Sequence, residues 1–345
     1  MGKQKILVTG GLGFIGSHTV VELQQAGYDV VILDDLSNSS LQVLDRIEKI
    51  TAAKPTFCQV NILDKKGLNE LFAAEKSIAA VIHFAAFKAV GESVIEPLKY
   101  FHNNLLSLLH LLECMEEFEI KNIVFSSSAT VYGDPEELPV TETTPFKKAL
   151  SAYGSTKQMG EEILEKTSAV KNIRAISLRY FNPVGAHASS LIGELPLGVP
   201  NNLMPFITQT AAGLRRQLTV FGNDYDTPDG TCLRDYIHVV DLARAHVKSC
   251  DRLLQAGMTE KYEVYNVGTG NAISVMEMIK AFETNNQVKL NYKIGERRAG
   301  DATAVYADVK KASQVLGWKA ELGLQEMVTS AWNWQTNLME MATVL

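Results

Sequence analysis

The chain has 345 residues, of which 46% are hydrophobic and 21% charged. This is an ordinary globular composition, in a length that suggests one large domain or two moderate ones. A net charge of −6 disfavours a nucleic-acid or anionic-membrane surface, and no apolar run approaches the roughly 20 residues that cross a bilayer. The sequence therefore predicts a soluble protein with neither nucleic acid nor membrane as a partner.

The N-terminal stretch and the spacing of the cysteines indicate in which cellular compartment the protein is expected. The sequence MGKQKILVTGG passes directly into a strand-like run and shows no secretory signal. The cysteines have no CxxC spacing, so we interpret them as buried reduced thiols rather than a disulfide framework or a metal site; they are Cys58, Cys114, Cys232 and Cys250. We expect a cytoplasmic protein without a bound metal.

The first half of the chain alternates short β-branched runs with helical stretches. The runs that predict strands are, in chain order, KILVT, DVVILD, TFCQV, AVIHFA, NIVFSSS and IRAISLRY. Because these runs are almost continuously apolar, they indicate strands covered on both faces, as in a parallel sheet between helices. The segments between them, such as 17–26 and 103–117, carry apolar residues at helical spacing. This half predicts a doubly wound, Rossmann-like α/β domain.

Three glycines stand between the first strand and the first helix. Gly10, Gly13 and Gly16 form the pattern GxxGxxG within VTGGLGFIGSH. Glycines there permit a tight turn and let the backbone approach a pyrophosphate, whose charge meets the N–H groups at the helix N-terminus. The second strand ends at Asp34, 18 residues past Gly16, where a carboxylate accepts hydrogen bonds from ribose hydroxyls and repels a 2′-phosphate. The pattern predicts bound NAD rather than NADP.

Asn61 follows the third predicted strand, where a side chain meets the adenine edge of such a cofactor. Its amide can accept from the adenine amino group and donate to a ring nitrogen. As an isolated residue it suits a turn equally well, so both interpretations stay open.

Three residues with acid–base chemistry lie further along the chain. Ser128 ends the strand NIVFSSS, and Tyr153 and Lys157 open a helix in SAYGSTKQMGEE. Tyr153 and Lys157 are four residues apart, so they share a helix face, and the ammonium is expected to lower the phenol pKa below its usual value of about 10. Each residue alone is common at a surface or strand end. Together they indicate hydride transfer to NAD, because that reaction needs a base for the alcohol proton.

The amino-acid composition of the chain changes at about Pro183. The stretch NPVGAHASSLIGELPLGVPNNLMP is rich in Gly, Pro and Asn and predicts no long regular element. The later runs DYIHVVDLARAHVKS and YEVYNVGTG again predict strand and helix, and we expect them to rejoin the first sheet. We therefore predict an NAD-binding domain from residues 1–183 plus about 236–268, and a smaller C-terminal α/β substrate domain from about 184–235 plus 269–345.

These motifs together resemble the extended short-chain dehydrogenase/reductase family, and most closely its members that act on UDP-hexoses. The matching stretches span nearly the whole chain and are TGGLGFIGSH, VIHFAAFKAVGES, FSSSATVYGD, YGSTK, LRYFNPVGAH, PNNLMP, FGNDY and LRDYIHVVDLA. The combination is far more discriminating than the glycine pattern by itself.

The resemblance implies a set of NAD-binding residues. Asn61 departs from the aspartate usual at its position, and Tyr180 and Phe181 are implied near the nicotinamide. The full set is Gly10, Gly13, Phe14, Ile15, Gly16, Asp34, Asp35, Asn38, Asn61, Ile62, Phe84, Lys88, Asn103, Tyr153, Lys157, Tyr180 and Phe181.

The reaction implied by the resemblance interconverts UDP-glucose and UDP-galactose. Tyr153 removes the proton of the sugar 4-hydroxyl while the C4 hydride moves to NAD, the 4-keto sugar turns its other face, and the hydride returns. Lys157 tunes Tyr153 and binds the nicotinamide ribose, and Ser128 helps to carry the proton. Because NAD is regenerated in every cycle, the resemblance also implies that it stays tightly bound.

On the substrate side, the resemblance implies two arginines on the diphosphate, Phe221 against the uracil and Asp301 on a ribose hydroxyl. Adjacent residues rarely point the same way, so Arg297 is expected to face solvent or to serve the structure. Val305 borders the sugar and, being smaller than the tyrosine of stricter enzymes, leaves space for a 2-acetamido group. The implied substrate-binding residues are Ser128, Tyr153, Asn182, Asn202, Leu203, Phe221, Arg234, Arg298, Asp301 and Val305.

Two alternatives remain at the level of sequence. One is another nucleotide-sugar enzyme of the family, a 4,6-dehydratase or an enzyme acting on a uronate; the first is disfavoured because Ala129 and Thr130 replace the acid and base that elimination needs. The other is a non-catalytic NAD-binding sensor. Apolar faces on NNLLSLLHLLECMEEF and STKQMGEEILEKTSAV suit core burial, but in the family such helices form a dimer interface, so we expect a homodimer.

Overall fold

The computed structural model describes residues 3–255, 258, 260–298 and 301–343. Its strands are β1 (Lys5–Thr9), β2 (Asp29–Asp34), β3 (Thr56–Gln59), β4 (Ile78–His83), β5 (Asn122–Ser126), β6 (Arg174–Tyr180), β7 (Asn182–Val184), β8 (Leu218–Phe221), β9 (Leu233–His238), β10 (Tyr262–Val267), β11 (Ala272–Ser274), β12 (Tyr292–Gly295) and β13 (Ala304–Val305). Its α-helices are α1 (Phe14–Gln25), α2 (Gln42–Thr51), α3 (Lys65–Ala74), α4 (Val90–Ile95), α5 (Pro97–Glu117), α6 (Ala152–Val170), α7 (Leu203–Ala211), α8 (Val239–Leu254), α9 (Val275–Asn286) and α10 (Leu324–Thr343).

A seven-stranded parallel sheet forms the larger part of the fold. Its order is β10-β6-β5-β4-β1-β2-β3, and each neighbouring pair runs parallel. The chain order reverses between β1 and β4, and ligands of doubly wound sheets bind beyond the carboxyl ends of the strands at such a reversal. The predicted Rossmann-like sheet is confirmed, and its carboxyl edge is the expected location of a site.

Alternating side chains of the central strands fill two hydrophobic cores. In β1, Ile6 and Val8 point into one core while Leu7 points into the other, and all three are fully buried. The first core also takes residues of α1, α2 and α8, and the second takes residues of α3, α5 and α6. Each fully buried aliphatic side chain contributes about 1.5–3 kcal/mol of transfer free energy. This two-sided burial explains why the strand sequences are continuously apolar.

The remaining strands lie outside the central sheet. β7, β9, β11 and β13 form a four-stranded sheet, and β8 pairs with β12. Residues of β7, β8, β9 and β11 share a third core with α7, α9 and α10, around Phe282 and Met327. The expectation that both later runs rejoin the first sheet is correct for β10 and wrong for β9, because β9 pairs with β7, β11 and β13. The predicted domain boundaries stay a prediction.

All four cysteines are free in the structure. Three are buried and Cys58 is partly buried. Within the described ranges, no helix combines the length and the apolar character needed to span a bilayer.

Candidate active site

The glycine turn places the end of β1 directly against the start of α1. Gly10 adopts a φ of +69°, and a Cβ there would lie 3.0 Å from the backbone nitrogen of Ala85. A Cβ on Gly16 would lie 2.2 Å from the Gly10 carbonyl oxygen, so strand and helix approach too closely for any side chain. The N-cap of α1 is Gly13, which offers no side-chain hydrogen bond to the first turn. The N–H groups there are therefore available to an anion.

Carboxylates follow β2 at the same edge of the sheet. Asp34 is buried, and its Oδ2 accepts a hydrogen bond of 3.1 Å from the backbone N–H of Leu12 in the glycine turn. Asp35 Oδ2 accepts from the Asn61 amide at 3.0 Å, while Asn38 is exposed. Asn61 Oδ1 in turn accepts from the backbone N–H of Leu63, so Asn61 does form a turn, and its contact with adenine stays a prediction.

The other predicted cofactor residues lie on α1, after β3, after β4 and near the start of α5. The ring of Phe84 lies 4.6 Å from that of His246, and Lys88 Nζ lies 5.9 Å from the centre of the Phe14 ring. Asn103, near the start of α5, donates to the side chain of its neighbour. Ile15, on α1, packs partly buried on the first core, and Ile62, after β3, is buried in the second. The contact of each of these residues with NAD stays a prediction.

Ser128, Tyr153 and Lys157 come together at the end of β5. Ser128 caps a short 3-10 helix, Ala129–Tyr132, and Tyr153 lies in the first turn of α6, whose cap is Ser151. Lys157 is buried, and its Nζ donates a 2.6 Å hydrogen bond to the carbonyl oxygen of Ser126. The same Nζ lies 5.6 Å from the centre of the Tyr153 ring. The spacing of four residues thus places both side chains on one buried helix face.

Burial governs the protonation of these groups. Burial raises the pKa of Tyr153 well above its ordinary value, with a smaller contribution of the same sign from Tyr180 and an opposing one from a Ser128 hydrogen bond. The expected lowering of the Tyr153 pKa by Lys157 is therefore wrong for the protein by itself, because desolvation outweighs the favourable contributions. Burial also lowers the pKa of Lys157 to about 7, although the charge of Glu161 acts in the opposite direction.

Aromatic side chains at the end of β6 form one wall of this site. Tyr180 is buried, and its hydroxyl lies 2.6 Å from that of Ser126. The ring of Tyr180 also lies 6.4 Å from the ring of His246. Phe181, the next residue, is buried and joins a small cluster with Val131 and Tyr132. These aromatic residues occupy the predicted nicotinamide side.

The predicted diphosphate residues gather around one carboxylate. Arg298 Nη2 donates to Asp301 Oδ1 at 2.7 Å, and Arg234 Nη2 lies 3.6 Å from the same oxygen. The Cζ atom of Arg298 lies 5.8 Å from the centre of the exposed Phe221 ring. Arg297 instead donates a hydrogen bond to Asp224. This contact agrees with the expectation that Arg297 serves the structure.

The other predicted substrate residues lie on or next to β13, β7 and α7. Val305, on β13, pairs with Arg234 on β9 and packs against the cluster that contains Phe181. Asn182 is exposed on β7, and the partly buried Leu203 begins α7. Asn202 is the N-cap of α7, and its part in substrate binding stays a prediction.

The structure adds residues that the sequence did not single out. Glu194 receives a 2.6 Å hydrogen bond from Asn202 and lies 3.3 Å from Lys88 Nζ, so it joins the predicted cofactor and substrate sides. Ser126 anchors Lys157 through its carbonyl. Glu161 follows Lys157 by one helical turn, and that spacing was a usable signal; nothing local marks Glu194.

A parallel nucleotide-binding sheet that carries Ser, Tyr and Lys at its carboxyl edge is the arrangement of the extended short-chain dehydrogenase/reductases. Comparisons with known proteins show which members of this class the chain is similar to. A family model described as GDP-mannose 4,6 dehydratase matches residues 7–331. A UDP-glucose 4-epimerase of Bacillus subtilis is 52% identical over 96% of this chain and 97% of its own length.

Solved structures agree with these relatives. A UDP-glucose-4-epimerase from Stenotrophomonas maltophila, with bound NAD and formylated UDP-arabinopyranose, has a TM-score of 0.94 at 46% identity and covers 98% of this chain and 99% of its own. One from Bifidobacterium longum, in complex with NAD+ and UDP, has a TM-score of 0.92 at 48% identity, over 96% and 98% of the two chains. The chain belongs to the UDP-glucose 4-epimerase family.

Proposed function

We propose that this chain is an NAD-dependent isomerase that interconverts UDP-glucose and UDP-galactose by oxidation and re-reduction at C4. The observation that carries the proposal is the buried group of Ser128, Tyr153 and Lys157 beside the glycine turn. The family relatives named above support it, as does the presence of NAD and UDP in the Bifidobacterium longum structure.

The residues present fit NAD. The glycine turn leaves no room for side chains, and the first turn of α1 has no side-chain cap, which suits a pyrophosphate. Asp34, at the end of β2, suits the adenosine ribose hydroxyls. The other NAD residues keep the roles proposed from the sequence. When bound, NAD supplies a hydride acceptor that becomes the hydride donor in the second half of the cycle.

The chain's own catalytic work is proton transfer. Tyr153 does this work as a phenolate, a form that the positive charge of NAD+ would favour when bound. Its phenolate oxygen takes the proton of the sugar 4-hydroxyl and returns it when the ketone is reduced. Ser128, at the N-cap of the 3-10 helix after β5, helps to carry the proton. Lys157, held by the Ser126 carbonyl, supplies a cation beside the ring. Because all three are shielded from water, the proton stays within the site.

On the substrate side, we propose that Arg234 and Arg298 clamp the diphosphate. In the protein by itself both arginines pair with Asp301, and the two positive charges exceed the one negative charge. The cluster therefore keeps a positive charge for the diphosphate, and Asp301 turns to a ribose hydroxyl on binding. Phe221, which is exposed beside Arg298, offers its face to the uracil. Asn182, Asn202 and Leu203 complete the pocket.

The test is a turnover assay with purified protein and UDP-galactose, read out as UDP-glucose formed. Turnover without added NAD supports an isomerase with tightly bound cofactor. Bound NAD without any turnover favours the alternative of a sensor. A dehydratase would instead release water and leave a 4-keto-6-deoxy product, and we disfavour it because Ala129 and Thr130 supply neither acid nor base after Ser128.

We further propose that the enzyme accepts the N-acetylated counterparts UDP-GlcNAc and UDP-GalNAc. Val305 lies in the strand beside Arg234 and packs against the Phe181 cluster, which suits a position between diphosphate and nicotinamide. A valine there occupies less space than a tyrosine. The absence of any activity on millimolar UDP-GlcNAc, in a preparation active on UDP-galactose, refutes this proposal.

We also propose a homodimer in the cytoplasm. Helices α5 and α6 pack side by side, and beside them lie exposed apolar side chains, Leu98 and Leu109 on α5, Met159 on α6 and Ile95 on α4. Such a face favours self-association. The four free thiols suit a reducing compartment. Light scattering coupled to size-exclusion chromatography tests the dimer, since a mass of 37.9 kDa corresponds to one chain.

A further inference from the structure

A buried ion pair lies behind the predicted catalytic residues. Arg179, on β6, donates from Nη2 to Glu161 Oε2 at 2.7 Å and from Nε to Oε1 at 3.0 Å. Both side chains are almost completely buried. Neither residue belongs to the glycine turn, to the Ser-Tyr-Lys group or to the predicted UDP pocket.

The pair is linked to the catalytic strand end by one hydrogen bond. Ser127 Oγ donates to Glu161 Oε1 at 2.5 Å. The residue before it, Ser126, holds Lys157 through its carbonyl and contacts Tyr180 through its hydroxyl. The residue after it is Ser128. Glu161 therefore fixes the middle of a three-residue segment whose two ends contact the proposed catalytic and cofactor residues.

Further contacts keep the pair from moving. Arg179 Nη1 donates to the Glu142 carbonyl oxygen at 3.0 Å and to the Tyr132 hydroxyl at 3.1 Å. Tyr262 donates to Glu161 Oε2 at 3.3 Å. The carboxylate thus has partners on both oxygens and a fixed orientation, as a positioning group requires.

Glu161 also acts on Lys157 by its charge. The titratable groups that face Lys157 are Glu161 and Tyr153 on its own helix, and His83 on β4. Burial lowers the pKa of His83 to about 3, so this imidazole is neutral, and burial keeps the Tyr153 phenol neutral as well. Glu161 therefore supplies the negative charge that offsets the burial of the ammonium.

We propose that Glu161 is a positioning residue for the proposed isomerase: held by Arg179, it fixes the segment from Ser126 to Ser128, which holds Lys157, and it places a carboxylate one helical turn after Lys157. The inference rests on the proposed function for its effect on turnover, but its effect on Lys157 is independent of any reaction. A buried ion pair is a weak source of net stability, because desolvation offsets the attraction. A role in positioning gives this pair a function that stability alone does not.

The first experiment changes the charge. E161Q leaves Arg179 buried and unpaired, so the double variant E161Q/R179M, which removes both charges, is made beside it. Lys157 is titrated in protein labelled with carbon-13 at the lysine Cε, its signal being assigned with K157M. We expect the midpoint to fall by about one pH unit, and the alkaline limb of kcat to move the same way, since Lys157 then loses its proton at lower pH.

A matched pair elsewhere serves as the control. Arg252 and Glu263 form a bidentate ion pair, with bonds of 2.5 and 2.7 Å, between α8 and β10. The variant E263Q/R252M is expected to leave the Lys157 midpoint and the pH profile unchanged. A folded E161Q/R179M protein whose Lys157 midpoint and pH profile equal those of the unchanged protein overturns the proposal.

The second experiment leaves the ion pair intact. S127A removes the 2.5 Å hydrogen bond without unpairing a charge, so folding is not at risk. We expect kcat to fall about fivefold, the scale of one hydrogen bond of about 1 kcal/mol, with KM unchanged and the melting temperature lower by only a few degrees. An unchanged kcat contradicts the positioning role. If the unchanged protein shows no turnover, the proposed function fails, while the Lys157 titration still decides the effect of the charge.

Discussion

The two halves of the site differ in their exposure to water. Tyr153 and Lys157 are only 7% and 4% exposed, and they lie between strand ends that the central sheet holds in place. Phe221 and the side chain of Arg298 are 45% and 57% exposed, on elements outside that sheet. Substitutions in the buried half should therefore change turnover or stability, whereas those in the exposed half should change substrate binding and selectivity.

The largest effect is expected from Y153F in the buried half. Loss of the acid–base hydroxyl should lower kcat by a factor of about 10² or more, with little change in KM. The control is Y292F, since Tyr292 is an exposed tyrosine on β12, and it should retain full turnover. Near-normal turnover by folded Y153F protein contradicts the proposed role of Tyr153. It also contradicts the expectation that substitutions in the buried half change turnover.

The second prediction concerns the effect of the buried histidines on acid stability. Burial lowers the pKa of His18 and His83 to about 3 and of His238 and His246 to about 4. In the unfolded chain histidine titrates near pH 6.5, so below that pH the unfolded state binds more protons than the folded state. The free energy of unfolding should therefore fall as pH falls from about 6.5 towards 4, by up to about 1.4 kcal/mol per pH unit for each histidine.

A substitution isolates one of these histidines. His246 is fully buried, and among the described residues its Nε2 has no hydrogen-bond partner. H246F should therefore flatten the pH dependence of urea unfolding between pH 6.5 and 4.5. The exposed His102 provides the control H102F, which should leave the slope unchanged. Equal slopes for H246F and the unchanged protein contradict the assignment of this acid sensitivity to burial.

The third prediction concerns the exposed half. R298A should raise KM for UDP-galactose about tenfold, the lower end of the range for a hydrogen bond to a charged group, and should leave kcat almost unchanged. The adjacent R297A is a close control, because Arg297 bonds Asp224 instead, and it should change KM less than about threefold. A fall in kcat with R298A, at constant KM, shows that the exposed half takes part in the chemistry.

The smallest effect is expected in selectivity. V305Y should lower the ratio of activity on UDP-GlcNAc to activity on UDP-galactose about fivefold, the low end of the cost of overpacking a site. The activity on UDP-galactose in the same preparation is the internal reference. An unchanged ratio contradicts the proposal that Val305 borders the sugar.

The sequence by itself determined the central sheet, the glycine turn and the grouping of Ser128, Tyr153 and Lys157. These features follow from local rules: an apolar run of strand length, a backbone position that only glycine tolerates, and a spacing of four residues on a helix. Parallel strands then bring their carboxyl ends to one edge, so the residues that follow each strand meet without further information.

Only the tertiary structure decided which distant side chains contact each other and how burial changes their pKa values. Glu161 meets Arg179, and Glu194 lies between Lys88 and Asn202, across separations that no local pattern marks. The raised pKa of Tyr153 was likewise inaccessible from the sequence, which predicted the opposite sign from a neighbouring lysine. Desolvation depends on every element packed around a group, and that packing exists only in the folded chain.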